Sequence, residues 1–159
     1  EQLGAEPAHI VNIQGDEPLI EIGRVDAIID ALQQGDADIA TLAAPIGDAE
    51  TFANRDVVKV VCDLRGYALY FSRAPIPCDG APVARRHIGV YGFQTAALRR
   101  FARLPRSPLE TAESLAQLRA LQNGFRIKVL DTTSSHLGVD RPEDVARVED
   151  ELARLEGDL

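Results

Sequence analysis

The sequence of 159 residues contains no methionine and begins with glutamate. A translated chain normally begins with methionine, so we expect this chain to be part of a longer product. No apolar run approaches the ~20 residues that a membrane-spanning helix needs, which argues against a membrane protein. Cationic residues are also scarce, since 17 Lys and Arg against 25 Asp and Glu give a net charge of −8. That charge argues against a nucleic-acid partner, because such binding depends on cationic contacts to phosphate.

Several motifs of known chemistry are missing as well. The two cysteines, Cys62 and Cys78, lack the spacing of a metal site. Cys62 lies in the apolar stretch VVKVVCDL and is expected to be a small buried hydrophobic residue. The patterns GxxxxGK[ST], GxGxxG, HExxH, paired CxxC and GxSxG are absent, so covalent catalysis has no support. Unpaired thiols favour a reduced compartment, and we therefore expect a cytoplasmic protein.

What is present has the composition of a globular protein, with 45% hydrophobic and 26% charged residues. This length allows one ordinary core, so we predict a single α/β domain over residues 1–159. Patterns of apolar residues predict strands at 9–14, 37–46, 87–94 and 125–132, and an antiparallel hairpin over 57–73. They predict helices at 21–35, 95–104, 107–124 and 141–157, a turn or single helical turn at 48–56, and a loop at 74–86. The order of these elements predicts a layered α/β domain with a mixed sheet.

A pair of carboxylates follows the first strand. The run Ile10–Ile13 is typical of a buried strand, and it ends at Gly15, directly before Asp16. Asp16 could be a ligand of Mg²⁺, which prefers one or two carboxylates together with phosphate oxygens and water. It could equally belong to a turn, because Gly-Asp-Glu-Pro contains the residues that turns prefer. From spacing alone the turn is favoured.

A similar ambiguity surrounds Asp140. Asp140 precedes Pro142, with Glu143 three residues on, and this pattern is typical of a helix N-cap. Capping accounts for it without any ligand. A metal role for Asp140 would require a second carboxylate nearby, and Asp16 is the candidate.

The stretch RHIGVYGF places polar side chains on one face of a strand. His87, Gly89 and Tyr91 share that face, while Ile88 and Val90 share the other. The polar face could line a pocket for an acidic sugar, or it could be the wet face of an antiparallel sheet. Arg73 at the end of ALYFSR could bind a carboxylate, or it could simply be solvated.

Five stretches taken together resemble one enzyme family. VNIQGDEPLI, VVKVVCDLRGYALYFSRAPIP, RHIGVYGF, SPLETAESLAQLRALQNGFRIKV and GVDRPEDVARV occur in the order found in the 3-deoxy-manno-octulosonate cytidylyltransferases (CMP-Kdo synthetases). The resemblance covers nearly the whole chain. It implies an α/β fold of the nucleotide-diphospho-sugar transferase type, with a mixed, mostly parallel sheet, flanking helices and a β-hairpin insertion. It also implies a homodimer that joins CTP and Kdo into CMP-Kdo and pyrophosphate, for lipopolysaccharide synthesis.

The resemblance also implies roles for individual residues. Asp16 and Asp140 would be catalytic residues that hold Mg²⁺. The residues that would face Kdo are Gln14, Arg73, His87, Tyr91 and Gln117. Ala116 stands where family members usually carry Glu, so one hydrogen bond to the sugar is in question.

The basic, glycine-containing loop with which family chains begin has no counterpart here. We therefore expect an N-terminally truncated chain that does not turn over CTP alone, with the strand at 9–14 left as an exposed edge. Two alternatives stay open. The chain could serve another acidic sugar such as neuraminate, or it could be a non-catalytic binding or dimerisation module whose surface is the hairpin and HIGVYGF.

Overall fold

The chain is seen in a computed structural model that describes residues 7–15, 21–80, 83–132, 145–146, 148–150 and 154. The strands are β1 (His9–Ile13), β2 (Ile39–Pro45), β3 (Lys59–Cys62), β4 (Ala68–Ser72), β5 (Arg85–Gln94) and β6 (Ile127–Asp131). The helices are α1 (Ile22–Gln33), α2 (Ala49–Ala53), α3 (Thr95–Ala102), α4 (Pro108–Glu113) and α5 (Gln117–Gln122). Among these residues, no helix is both long enough and apolar enough to cross a membrane.

All six strands join one sheet around β5. Its order is β4-β3-β5-β2-β6, and β1 also pairs with β5. The predicted α/β class, with a mixed sheet, flanking helices and a β3–β4 hairpin, is confirmed. The expectation of a mostly parallel sheet is wrong for the described residues, where β2–β6 is the one parallel ladder. The reason is that β5 runs against each of its partners β1, β2 and β3.

β1 is less buried than its apolar sequence predicts. Its residues are half-buried or exposed, and Ile13 is 44% exposed. Within the described part of the chain, β1 pairs with β5 alone. The prediction of a buried strand is therefore wrong, because an apolar run does not show whether a strand has one neighbour or two. The expectation of an edge strand, which came from the family resemblance, agrees with this pairing.

Helices cover both faces of the sheet. On one face, α1 packs Ile28 and Leu32 against Ile88 and Val90 of β5. Gly92 permits this close approach, because a Cβ there would lie 2.3 Å from Ile28 Cγ2. On the other face, α4 and α5 cover a second core cluster, whose largest side chains include Phe71, Leu118, Phe125 and Ile127.

The predicted single helix over 107–124 is two helices. Its start is confirmed, since Ser107 and Glu110 form a capping box with a proline at the first turn. The prediction of an unbroken helix is wrong, because Ser114 adopts a left-handed conformation with φ of 56°. No glycine or proline marks this break in the sequence. Its cause is tertiary, since the Glu113 carbonyl accepts a hydrogen bond from Arg73 Nε at 3.0 Å.

Candidate functional site

A gap along one edge of β5 forms the candidate site. On that edge, β1 pairs with Val90–Gln94, and β3 pairs with Arg85 and Arg86. Between them, within the described part of the chain, the N–H of His87 donates to the Val58 carbonyl at 2.8 Å. A cavity of about 530 Å³ opens at this gap, and the segment that joins α4 to α5 covers it.

All five residues that the resemblance assigned to Kdo line this one cavity. They come from four separate parts of the chain: the end of β1, the end of β4, the middle of β5 and the start of α5. They are Gln14, Arg73, His87, Tyr91 and Gln117. Because these residues are up to 103 positions apart (14 to 117), the fold and not the sequence brings them together.

His87 and Tyr91 form the floor of the cavity as neutral groups. Burial lowers the pKa of His87 to about 3, so the ring is uncharged at neutral pH. Burial also raises the pKa of Tyr91 well above its ordinary value, so its hydroxyl keeps its proton. Their ring centroids lie 5.2 Å apart, and Phe71 meets His87 edge-on at 5.1 Å. The polar face predicted for β5 therefore lines a cavity and is not a wet sheet face.

Gln14 lies over Gly89, its neighbour across the β1–β5 edge. A Cβ at Gly89 would lie 2.4 Å from Gln14 Oε1, so the missing side chain makes the space that the amide occupies. Asn12, on the same face of β1, also lines the cavity. The end of β1 thus supplies two amide side chains that can each donate and accept hydrogen bonds.

Arg73 is held from both sides by neighbouring groups. Its backbone N–H donates to the Glu113 carboxylate at 2.8 Å, and its Nε donates to the Glu113 carbonyl. Its own carbonyl accepts from Lys59 Nζ at 2.7 Å. Burial alone would raise the pKa of Glu113, but hydrogen bonds from Arg73, Ser72 and Tyr70 lower it below its ordinary value. Arg73 is therefore a cation fixed at the cavity wall, and the interpretation of a merely solvated strand end does not hold.

The break between α4 and α5 forms the opposite wall. Ser114, Leu115 and Ala116 line the cavity, and Gln117 reaches into it while only 8% exposed. The resemblance places a glutamate where this chain has Ala116. The chain therefore offers a methyl group at that point of the wall.

The two aspartates proposed for Mg²⁺ lie outside the described residues. Asp16 follows Gln14 and Gly15, and Asp140 follows β6 by nine residues (131 to 140). Two carboxylates are the donor type that Mg²⁺ prefers. Among the residues that are described, no group of three or more His, Cys, Asp or Glu could hold a metal ion.

A homodimer surface formed by the hairpin and HIGVYGF stays a prediction. β5, which contains HIGVYGF, is paired along both edges except at the gap beside the cavity, and its Ile88 and Val90 are at most 2% exposed. The hairpin does leave apolar side chains in solvent, since Leu69 is 62% exposed and Leu64 is fully exposed.

Three polar residues that support the cavity were not predicted from the sequence. Thr41, Lys59 and Glu113 make hydrogen bonds to His87 or Arg73. The first two carried a visible signal, because each is a lone polar residue in an apolar strand, IATLAAP or KVVC. Glu113 looked like an ordinary helix residue, and no pattern marked it. Cys62 was expected to be buried; it packs partly buried against the core, and burial raises its pKa.

Comparison with known proteins places this architecture in a family. The family described as "Cytidylyltransferase" matches residues 2–128. The 3-deoxy-manno-octulosonate cytidylyltransferase of Anaeromyxobacter sp. (strain Fw109-5) is 47% identical over 156 residues, which cover 96% of this chain and 63% of that protein. The enzyme of the same name from Leptothrix cholodnii is 49% identical over an alignment of 161 positions, which covers 92% of this chain and 59% of that protein.

Solved structures agree with the sequence matches. A CMP:2-keto-3-deoxy-manno-octonic acid synthetase complexed with CTP superposes with a TM-score of 0.86 at 35% identity, covering 94% of this chain and 63% of that one. The 2-C-methyl-D-erythritol 4-phosphate cytidylyltransferase of Thermus thermophilus shares the fold, with a TM-score of 0.59 at 16% identity over 94% of this chain and 63% of that one. The chain thus spans less than two thirds of the length of these relatives. On the family match and these identities, the chain belongs to the cytidylyltransferase family.

Proposed function

We propose that this chain is the Kdo-binding part of an enzyme that joins CTP and Kdo to give CMP-Kdo and pyrophosphate, for lipopolysaccharide synthesis. The observation that carries the proposal is the convergence of Gln14, Arg73, His87, Tyr91 and Gln117 on one cavity. The names of the relatives, and the CTP bound to one solved relative, support the choice of substrates.

In this reaction, the anomeric hydroxyl of Kdo attacks the α-phosphorus of CTP. A new P–O bond forms, the bond from the α-phosphorus to the bridging oxygen of the β-phosphate breaks, and pyrophosphate leaves as the hydroxyl loses its proton. The cavity residues bind and orient the sugar, so that its hydroxyl faces the phosphate. Arg73 supplies the positive charge for the sugar carboxylate, because a fixed guanidinium pairs well with a carboxylate.

We propose that Asp16 and Asp140 hold Mg²⁺ beside this cavity. β1 and β6 run in the same direction, since β1 and β2 both oppose β5 and β6 is parallel to β2. Their carboxyl ends therefore lie at one edge of the sheet, where ligands of α/β sheets bind. When bound, Mg²⁺ would neutralise charge on the triphosphate. Homodimer formation through the β3–β4 hairpin and HIGVYGF stays a prediction, as does a cytoplasmic location.

Titration calorimetry of the chain with Kdo and with N-acetylneuraminate tests the sugar assignment. We expect Kdo to bind more tightly. Gln117→Ala should weaken Kdo binding about fivefold, the value of roughly one hydrogen bond, whereas Gln33→Ala at the exposed end of α1 should leave it unchanged. Tighter binding of neuraminate would favour the alternative sugar. Binding of neither sugar, together with self-association, would favour a dimerisation module.

Pyrophosphate release tests the reaction itself, and the complete product of the gene is the protein to use. We expect turnover with CTP and Kdo that depends on a divalent cation and is lost in Asp16→Ala and in Asp140→Ala. If Asp140 only caps a helix, Asp140→Ala should keep its activity and lose about 1 kcal/mol of stability.

A further inference from the structure

A bulge in the β2–β5 ladder places one hydroxyl beside the His87 ring. Along β2, Thr41 pairs with Tyr91, but the next residue pairs with Ile88, so two residues of β5 have no register partner there. The Thr41 hydroxyl, which is 0% exposed, fills this irregularity. Bulges of this kind occur next to functional sites, where they redirect groups that a regular ladder would pair.

The contacts of the Thr41 hydroxyl fix where its single proton lies. Thr41 Oγ1 is 2.7 Å from the Val90 carbonyl oxygen and 3.3 Å from the Ile88 carbonyl oxygen. Two oxygens at 2.7 Å need a proton between them, and a carbonyl can only accept, so Thr41 donates to the carbonyl. The hydroxyl oxygen then has only acceptor capacity left for His87 Nε2, which lies 2.9 Å away.

We infer that Thr41 holds His87 in the tautomer protonated at Nε2, so that Nδ1 offers a lone pair to a hydroxyl group of the bound sugar. A neutral imidazole has one donor and one acceptor nitrogen, and the hydrogen bond at one nitrogen decides the role of the other. His87 thus recognises a hydroxyl group and not the carboxylate of the sugar. The choice of sugar rests on the proposed function, whereas the tautomer does not.

The charges around the His87 ring support the inference that His87 binds a hydroxyl group and that the carboxylate binds elsewhere. Burial keeps His87 uncharged, and the neighbouring Tyr91 keeps its phenolic proton, so neither side chain gives the cavity floor a charge. Among the described residues, the charged groups that line the cavity are Arg73, Arg86 and Asp56, which together carry one net positive charge. A carboxylate is therefore drawn to the wall at Arg73, and the floor is left for uncharged polar groups of the ligand.

Nitrogen-15 NMR of the labelled chain tests the tautomer directly. The sequence has three histidines, so the spectrum of His87→Gln identifies the His87 signals. We expect the free chain to show a protonated Nε2 and an unprotonated Nδ1. Thr41→Ser should retain this pattern, and Thr41→Val should shift it toward a mixture of tautomers. A free chain with its proton on Nδ1 would overturn the inference even if the Thr41→Val variant failed to fold.

Addition of sugar tests the role of His87 Nδ1 as an acceptor for a hydroxyl group of the ligand. We expect Kdo to shift the Nδ1 resonance upfield without protonating it, and pyruvate, a carboxylate without hydroxyl groups, to leave it in place. Kdo binding should weaken about fivefold in Thr41→Val and less than twofold in Thr41→Ser. Protonation of Nδ1 by either acid would refute the inference. If Kdo fails to bind but neuraminate shifts the Nδ1 resonance, the sugar assignment is wrong and the inference about His87 holds. If neither sugar binds, the tautomer observed in the free chain decides whether the inference holds.

Discussion

Replacing Lys59 by methionine tests whether one buried cation organises the wall of the cavity. Lys59 is 0% exposed, and its ammonium group donates to three carbonyls: Asn54 at 2.7 Å, Val57 at 2.6 Å and Arg73 at 2.7 Å. These three bonds use every proton that the ammonium can donate. Burial lowers the pKa of Lys59, and the negative charge of Glu113 partly opposes that shift.

The expected loss of stability follows from these contacts. A hydrogen bond from a charged donor contributes about 1.5–3 kcal/mol, so three bonds would give roughly 4.5–9 kcal/mol. Removing the ammonium also removes the cost of burying it, which is several kcal/mol. We therefore expect Lys59→Met to lower the free energy of unfolding by about 3 kcal/mol. That loss is a large part of the roughly 5–15 kcal/mol that holds a domain folded.

Urea denaturation at pH 7, followed by far-ultraviolet circular dichroism, measures this loss. The other lysine of the chain supplies a matched control. Lys128 is half-buried, donates one hydrogen bond to the Arg65 carbonyl, and places its ammonium 5.0 Å from the centroid of the Tyr67 ring. Because one hydrogen bond and one exposed cation–π contact are lost in place of three buried bonds, Lys128→Met should lower stability by about 1 kcal/mol or less. Equal midpoints for the two variants would refute the reasoning, because they would mean that the three carbonyls gain nothing from Lys59.

Three further predictions concern the packing around β5. Gly89→Ala should displace the flexible end of Gln14, whose Oε1 lies 2.4 Å from the new Cβ, so calorimetry should show weaker Kdo binding while the melting temperature stays the same. Gly92→Ala should instead destabilise the fold by about 1–3 kcal/mol in thermal denaturation, because the new Cβ meets Ile28 Cγ2 at 2.3 Å; an unchanged melting temperature would contradict this. Burial lowers the pKa of His87 to about 3, so between pH 6.5 and about 3 the unfolded chain binds a proton at His87 and the folded chain does not. Stability should therefore fall by about 2 kcal/mol from pH 6.5 to 4.5, and His87→Gln, measured by urea denaturation in parallel, should lack that part of the fall.

The elements of this fold follow from the sequence because their signals are local. Alternating apolar residues mark β5, and the capping box at Ser107 marks the start of α4. The position of each strand in the sheet does not follow in this way. Nothing in residues 9–13 shows that β1 has a single partner in the described sheet, and nothing near Ser114 shows that a contact from Arg73 will end the helix.

The candidate site was predictable only where a motif identified it. Gln14, Arg73 and Gln117 were found through the family resemblance, because their spacing alone has a plain structural explanation. Thr41 lies outside the five stretches that carry the resemblance, and Lys59 lies in VVKVVCDLRGYALYFSRAPIP but has no role that the resemblance implies. They act on the backbone and on other side chains, and such supporting contacts are set by tertiary structure.

Thr41 and Lys59 are buried where the backbone around the cavity is irregular. The cavity lies at an interruption of the ladder between β1 and β3 on one edge of β5, and a bulge lies on the other edge. Interrupted strands and the loop before β3 leave carbonyl groups that the ladder does not pair. Buried carbonyls without donors are costly, so a side chain must supply the missing proton. One threonine and one lysine in otherwise apolar strands do so, and the backbone around the site can therefore be irregular and still be stable.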